Sequence, residues 1–296
     1  MLLDQDRWTP RTSRGSALPM RPSGSTTEVY GSKGRSTCRL MLSRSQAGRV
    51  RALHRRKGRE EAGEFLVEGI RQVEDLIASP VVPRLALISP SLEDSPRGRE
   101  LGARVRAATV AVEVSDSELA QLATTETTQG IVVVAAIPRA TLDSVPLGAR
   151  SLVIVLDAVQ DPGNFGTIAR SADAFGAAML VTLPGTVDPW NPKAVRSAAG
   201  ASLRIPVVES TLADVLTHLR THGAMLYGAD AGGTSIEHAA HDGVVALALG
   251  NEGAGLGAAV RAACDQLVSV PIGGAADSLN VGVAAGILMY LLSRTS

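Results

Sequence analysis

Three glycine- and asparagine-rich segments in the second half of the chain each follow or extend an apolar run of strand-like length. They are DPGNFGTIARSADAFGA (161–177), LALGNEGAGL (247–256) and VPIGGAADSLNVGVAAGILMYLL (270–292). Strand, glycine loop and helix, repeated at spaced positions, is how an α/β domain gathers loops at one end of its sheet to form a small-molecule pocket. The apolar runs of this half are VIVLD (153–157), AMLVTL (178–183), IPVVE (205–209), MLYGAD (225–230), VVALALG (244–250) and LVSVPI (267–272). They do not alternate, as expected of parallel strands covered on both faces. The polar side chains on the three segments are Asn164, Arg170, Asn251, Glu252, Ser278 and Asn280. No His or Cys stands among them. That excludes a zinc hydrolase or a thiol nucleophile at this site and points to chemistry carried by a cofactor.

A second α/β region precedes this one. FLVEG (65–69), IRQVEDLIAS (70–79), LALIS (85–89), ELGARVRAA (100–108), VAVEV (110–114), SDSELAQLATTET (115–127) and QGIVVVAAI (129–137) alternate between strand and helix, with Ser115 or Ser117 as a helix cap. Upstream, SRSQAGRVRALHRRKGREEAGEF places Val50, Leu53 and the stem of Lys57 at helical spacing. Residues 1–40 are rich in Ser, Arg, Thr, Gly and Pro without an apolar period and read as a disordered basic tail. A transit peptide, or a later start at Met20 or Met41, are other readings of that stretch. The expected organisation is a tail over 1–40, a small α/β domain over 41–137, a linker over 138–150 and a larger α/β domain over 151–296.

The formal net charge of zero hides a split. Residues 1–60 hold fourteen Lys/Arg against four Asp/Glu, a net of +10, and the remainder fifteen against twenty-five, a net of −10. A basic arm on an acidic body suits a polyanion binder, although charge alone fits a solvated face equally well. Cys38 and Cys264 lie in unrelated contexts with no metal spacing, so no metal and no disulfide framework are implied, as in a reducing compartment such as the cytoplasm. The longest apolar run, Leu279 to Leu292, is short of the ~20 residues that span a bilayer. A GxGxxG turn after the first strand of the larger domain is absent, since the segment there reads DAVQDPGNFG, and so is a P-loop.

Taken together, in order and spacing, the three segments resemble the SpoU/TrmH family of RNA ribose 2′-O-methyltransferases, which use S-adenosylmethionine and belong to the trefoil-knotted SPOUT class. The likeness covers roughly residues 151–296. GRVRALHRRKGREEAGEFLVEG and TTQGI, within 42–137, resemble the small RNA-substrate-binding domain often fused ahead of it. The resemblance implies a parallel-sheet domain with a deep knot, a homodimer with its site near the subunit interface, and RNA as partner. Ribosomal RNA is favoured over transfer RNA because of the separate N-terminal domain, and methylation at an antibiotic site falls within the same chemistry. It makes Arg170 catalytic and gives Asn164, Glu252, Ser278 and Asn280 to the same polar set. Leu249, Gly250, Asn251, Gly253, Ile272, Ser278 and Leu279 would hold S-adenosylmethionine. A non-catalytic RNA-binding or ribosome-assembly factor on the same fold is the contrasting reading.

The residues carry their own physical expectations. Asp161-Pro162-Gly163 turns the chain and Asn164 begins a helix or caps it. Asn164 and Arg170, six apart, lie ~240° apart around a helix at ~100° per residue, so their roles should differ. Gly250, Gly253 and Gly255 would let the backbone approach a flat ligand, and Glu252 would order that loop or meet the RNA. Ser278 has the look of a helix cap, with Asn280 in the first turn and Gly282, Ala284, Ala285 and Gly286 allowing close packing. Ile272 stands where the family usually has Met, and Ala198 where it commonly has Ser. Guanidinium rarely gives up its proton, so Arg170 would act as a charge that holds a phosphate and stabilises a developing alkoxide. Arg51, Arg55, Arg56, Lys57 and Arg59 are the candidates for phosphate contact.

Overall fold

Ser43 opens the first helix, α1 (Arg44–Ala52), by a reciprocal capping box: its hydroxyl accepts from Gln46 N at 3.1 Å, and its own N–H donates to Gln46 Oε1 at 2.9 Å. The computed structural model describes residues 41–125, 128–238, 243–274 and 278–294, which belong to one compact unit, Arg39–Ser296. The tail expected over 1–40 lies outside the described residues. Val50 and Leu53 are fully buried as expected, but the helical spacing does not run on to Lys57. The chain turns through His54 and an extended Arg55 and restarts as α2 (Arg56–Ala62). A Cβ on Gly58 would lie 2.1 Å from the Ala52 carbonyl oxygen, so glycine allows α2 to fold back on the end of α1. Lys57 is left with a side chain 85% exposed.

Next come β1 (Glu64–Glu68), α3 (Ile70–Ala78), β2 (Pro83–Ile88), α4 (Pro96–Ala108), β3 (Ala111–Glu113), α5 (Asp116–Leu122) and β4 (Ile131–Ala136). The four strands form a mixed sheet in the order β1-β4-β2-β3, with β4 antiparallel to both its neighbours. α4 starts four residues before the expected Glu100, because Ser95 caps it and Pro96 supplies a preset first turn. Ser115 is the cap of α5, and the helix stops at Leu122 instead of running to 127. Buried Glu68 explains the stop. It accepts from Thr124 N and Oγ1 and from Thr125 Oγ1, drawing those residues out of the helix.

The second half supplies β5 (Leu152–Leu156), α6 (Pro162–Ala174), β6 (Met179–Thr182), α7 (Pro192–Ala198), β7 (Val207–Glu209), α8 (Leu212–Thr221), β8 (Met225–Ser235), β9 (Val245–Leu249), α9 (Ala258–Ala263), β10 (Gln266–Ser269) and α10 (Val281–Arg294). Its six strands are ordered β10-β8-β9-β5-β6-β7, and every pair is parallel. Both faces are covered, which is why the runs read as continuously apolar. Ile154, Leu156, Leu247 and Leu249 pack on the side that also holds buried residues of α6, α7 and α10. Val153, Val155, Ala246 and Ala248 face residues of α8 and α9. The chain winds outward through β5, β6 and β7, then crosses to β8 on the far side and places β9 beside β5. Order therefore reverses at the β5/β9 junction, the position where open parallel sheets gather their ligands.

The two halves share a core. Phe65, Val67 and Ala135 of the first sheet lie in the same buried cluster as Phe165, Trp190 and Val195 of the second half. The rings of Phe65 and Trp190 are 4.8 Å apart and tilted. Beside them Arg59 is buried, its guanidinium donating to Asp188 Oδ2 from both Nε and Nη2 and to Leu53 O from Nη1. Arg196 of α7 donates to Thr124 and lies 4.0 Å from Glu68. α7, which ends at Ala198, is the element through which the larger half meets β1.

Candidate active site

Asp161, the first turn of α6 and the loop after β9 meet where the sheet order reverses. Asp161 caps α6, its Oδ1 accepting from Asn164 N at 2.9 Å, so Asn164 is the third residue of the helix rather than its cap. This frees the Asn164 side chain. Its Nδ2 donates to Glu252 Oε1 at 2.9 Å, and its Oδ1 accepts from Asn280 Nδ2 at 2.9 Å. Glu252 also accepts from the backbone N–H groups of Asp161 and Gln160 at 3.1 and 3.3 Å. One residue from each of the three glycine-rich segments is thereby joined in a chain, Asn280–Asn164–Glu252.

Asn251 shapes the loop that carries Glu252. Its Oδ1 accepts from Gly253 N and Ala254 N, each at 3.0 Å, and its Nδ2 reaches Ala158 O at 3.0 Å. Asn251 and Gly255 also exchange both backbone hydrogen bonds. A Cβ on Gly250 would lie 2.2 Å from the Gly255 carbonyl carbon. Glycine is required there to let the loop close on itself. Asn280 is the cap of α10: its Oδ1 accepts from Gly282 N at 2.9 Å and from Val283 N at 3.3 Å. Ser278, expected to be that cap, stands ahead of it in the connecting loop. A Cβ on Gly282 would lie 2.9 Å from Thr167 Cγ2, so α10 packs directly on α6.

A cleft of about 150 Å³ opens beside this chain of contacts. Leu249, Gly250, Asn251, Glu252, Ile272, Ser278 and Leu279 all line it, as do Val268, Ser269 and Leu288. Gly253 of the expected set does not: its N–H is turned to Asn251. The sequence reading also missed Asp230, which lines the cleft and is held by Arg261 and by Gly232 N at 2.9 Å. That ion pair holds the Asp230 carboxyl below the usual range. The only signal was positional, a carboxylate at the end of an apolar run in a parallel sheet. Apolar walls, backbone polar groups and two carboxylates, Asp230 and Glu252, suit a flat heteroaromatic nucleoside bearing hydroxyl and amino donors.

Burial pushes the Glu252 carboxyl up, but the hydrogen bonds from Asn164 and from the backbone outweigh it and hold the group below the usual carboxylate range. A group whose folded pKa is depressed stabilises the fold above its unfolded value, and that stabilisation is lost as pH falls. The loop should keep its order above the ordinary carboxylate pKa of ~4.3 and lose it below. Ligand affinity of the cleft, measured by titration calorimetry, is expected to be flat from neutral pH down to that range and to fall beneath it. Glu252→Gln should bind severalfold more weakly at neutral pH and lack the acid limb. An unchanged acid limb in that variant would place the titrating group elsewhere.

Arg170 is not part of this constellation. It lies on α6 six residues beyond Asn164 and on a different face, exposed, with no hydrogen-bond or ion-pair partner among the described residues. Of the five basic candidates, Arg51 and Arg55 are exposed and without such partners among the described residues. Arg56 and Lys57 are exposed and pair along their own helix with Glu60 and Glu61, at 2.6 and 3.7 Å. Arg59 has to be withdrawn as a phosphate contact, because its side chain is 3% exposed and committed to Asp188.

Residues 151–290 match the family described as SpoU rRNA Methylase, and residues 46–133 match the MRM3-like substrate binding domain. The 23S rRNA (guanosine(2553)-2′-O)-methyltransferase RlmP of Bacillus subtilis is 37% identical over 241 residues, which are 81% of this chain and 92% of that one. The chain belongs to the SpoU rRNA methylase family. The 23S rRNA (uridine(2479)-2′-O)-methyltransferase of Streptomyces viridochromogenes is 34% identical over 80% of this chain and 85% of its own. The crystal structure of the SpoU methyltransferase AviRb from S. viridochromogenes, in complex with AdoMet, superposes with a TM-score of 0.78 at 32% identity, covering 85% of this chain and 98% of that one. These SpoU relatives extend over both sheets, so the small mixed sheet is part of the likeness. Among the described residues no helix is long and apolar enough to cross a membrane, and no cluster of His, Cys, Asp and Glu could hold a metal ion.

Proposed function

We propose that this chain is an S-adenosylmethionine-dependent methyltransferase acting on a ribose 2′-hydroxyl of ribosomal RNA. The observation that carries the reading is the Asn280–Asn164–Glu252 chain at the β5/β9 junction, set against a nucleoside-sized cleft. When bound, S-adenosylmethionine supplies an activated methyl group. The protein's part is placement. Leu249, Gly250 and Asn251 offer backbone groups to the adenine edge, Ile272 and Leu279 close the apolar wall, and Asp230 and Ser278 accept from hydroxyl or amino donors. Alignment of the 2′-oxygen with the methyl group can contribute several kcal/mol. Asn164 and Glu252 fix the loop that borders the reacting oxygen, Arg170 holds the adjoining phosphate and the developing alkoxide as a fixed charge, and that phosphate takes the hydroxyl proton.

Arg170 does this work in a homodimer. Its exposure, together with Val283 and Tyr290 on the outer face of α10 at 49% and 42% exposure, supports an assembly that covers these helices. The packing of α10 against α6, along small residues, supports the expected trefoil knot. We read 41–137 as the RNA-binding domain, 138–150 as the linker and 151–296 as the catalytic domain, working in the cytoplasm.

Methyl transfer from labelled S-adenosylmethionine to ribosomal RNA, ribosomal particles and transfer RNA lacking native modifications tests the reading. A ribose 2′-O-methyl located by nuclease digestion and mass spectrometry is the expected result. Label on a base would overturn it. Arg51, Arg55, Arg56 and Lys57 should set the salt dependence of RNA binding. Changing all four to Gln is expected to flatten the slope of log affinity against log salt by about 0.7 for each single-strand phosphate that is no longer neutralised. An unchanged slope removes that surface from the interface.

A further inference from the structure

A second cleft lies on the same carboxyl edge of the large sheet, at the ends of β6 and β7. It holds about 200 Å³ and is bounded by Thr182, Glu209 and Ser210, by the 183–189 loop with Asp188, and by Arg56 at the start of α2. Thr182 and Glu209 are register partners in the parallel β6–β7 pair. Their side chains therefore leave the same face of the sheet about one strand spacing, ~4.8 Å, apart. Thr182 is only 5% exposed, and its hydroxyl has no hydrogen-bond partner among the described residues. The hydroxyl is not sealed in the core but meets the cleft, so its donor is free for a ligand there.

Glu209 also has no hydrogen bond or ion pair of its own among the described residues. Although the residue is open to solvent, burial of its carboxyl and then the neighbouring Asp188 hold it above the usual range. Asp188 is less available to a ligand, because Arg59 takes Oδ2 twice and Trp190 N takes one site of Oδ1. The lining is thus net acidic, with the single cation, Arg56, already paired to Glu60. Like charge excludes a phosphate. A carboxylate only accepts, so the ligand must bring N–H or O–H donors.

The cleft is also tied to the catalytic loop. Leu183 N donates to Leu156 O and Val187 N to Val159 O, each at 2.9 Å, so its floor is continuous with the turn that leads to Asn164. β6 and β7 stand two and three strands from β9, roughly 10–14 Å from the cofactor cleft. A substrate strand lying across the catalytic turn would bring a neighbouring nucleotide here, with the exposed Arg56 plane at the mouth.

We propose that this cleft receives a guanine base flanking the methylated nucleotide, with Glu209 accepting from its N1–H and N2–H groups and Thr182 donating to its O6. Guanine offers two adjacent donors and an acceptor on one edge, which matches a carboxylate beside a hydroxyl. Adenine and cytosine offer a single amino group, and uracil one N–H between two acceptors. Readout of a splayed single-stranded base on this edge is a general mode of RNA recognition. The identity of the polymer rests on the methyltransferase reading; the complementarity of the cleft does not.

The test titrates the full chain with uridine hexaribonucleotides carrying one central guanosine, inosine, adenosine or cytidine, or none, by fluorescence anisotropy. The guanosine RNA is expected to bind at least about tenfold more tightly than the all-uridine RNA, a good bidentate pair being worth that much. Inosine, which lacks the N2 amino group, should fall between. Glu209→Gln should shrink the guanosine advantage below about threefold without changing the all-uridine affinity, and Thr182→Val should reduce it in part. Equal binding of all five RNAs by the unmodified protein, or a guanosine preference that survives Glu209→Gln, overturns the proposal. Methyl transfer is scored separately. Guanosine-selective binding without transfer to any RNA keeps the cleft and removes the methyltransferase reading, whereas transfer without a guanosine preference does the reverse.

Discussion

Asp188→Ala is expected to cost about 3–5 kcal/mol of stability, the usual penalty for stranding one member of a buried ion pair. Arg59 would be left with a side chain 3% exposed and only the Leu53 carbonyl to accept from it. For a chain of this size that corresponds to roughly 6–20 °C in melting temperature. The loss should fall on the junction between the two halves, because the pair bridges α2 to the loop after β6 and sits beside the Phe65–Trp190 contact. Proteolysis should then open the region around residues 138–150 first. The double variant Arg59→Met/Asp188→Leu separates charge from packing. Replacing a buried pair by apolar side chains of similar size is often neutral, so it should recover most of the stability. Equal destabilisation in the single and double variants would mean that the junction depends on packing alone.

This pair also shows why the N-terminal surface was only partly legible. Arg59 sits in the run RRKGR, where four cations within five residues look alike in sequence. What separates Arg59 from Arg55, Arg56 and Lys57 is a break in the helix at Leu53 and a partner 129 residues away. No local pattern encodes either. The strands were legible because burial on both faces writes itself as an apolar run, and β5, β6, β8 and β9 begin within a residue or two of the runs that announced them. α7 and α9 are short, of seven and six residues, and their helicity depends on what they pack against.

The site was legible as a set of residues and illegible as a set of contacts. The glycine-rich segments named Asn164, Glu252 and Asn280, and the fold joins them. Which asparagine caps which helix was decided by side chains one to three residues away: Asp161 takes the cap of α6 and Asn280 that of α10. Each choice releases or commits an amide that the sequence treats as equivalent. Asp230 escaped notice because its partner, Arg261, lies on α9, an element with no signature of its own.

Arg170→Ala is expected to lower the single-turnover rate of methyl transfer by about 10²–10³-fold, the scale of removing one fixed donor from a developing oxyanion. Stability should change by less than about 0.5 kcal/mol, since the side chain is exposed and unpaired among the described residues. S-adenosylmethionine affinity should be unchanged, because Arg170 does not line the cofactor cleft. This combination, a large effect on rate with none on folding or cofactor binding, is what a charge aimed at the substrate predicts and a surface ion pair does not. Arg170→Lys distinguishes charge from geometry. Lysine keeps the cation but not the planar fork that grips two phosphate oxygens, so it should restore only part of the rate. A lysine variant equal to the unmodified protein at every pH would reduce the role to charge alone. An alanine variant within about threefold of it would remove Arg170 from the reaction and leave Asn164 and Glu252 as the groups that position the reacting oxygen.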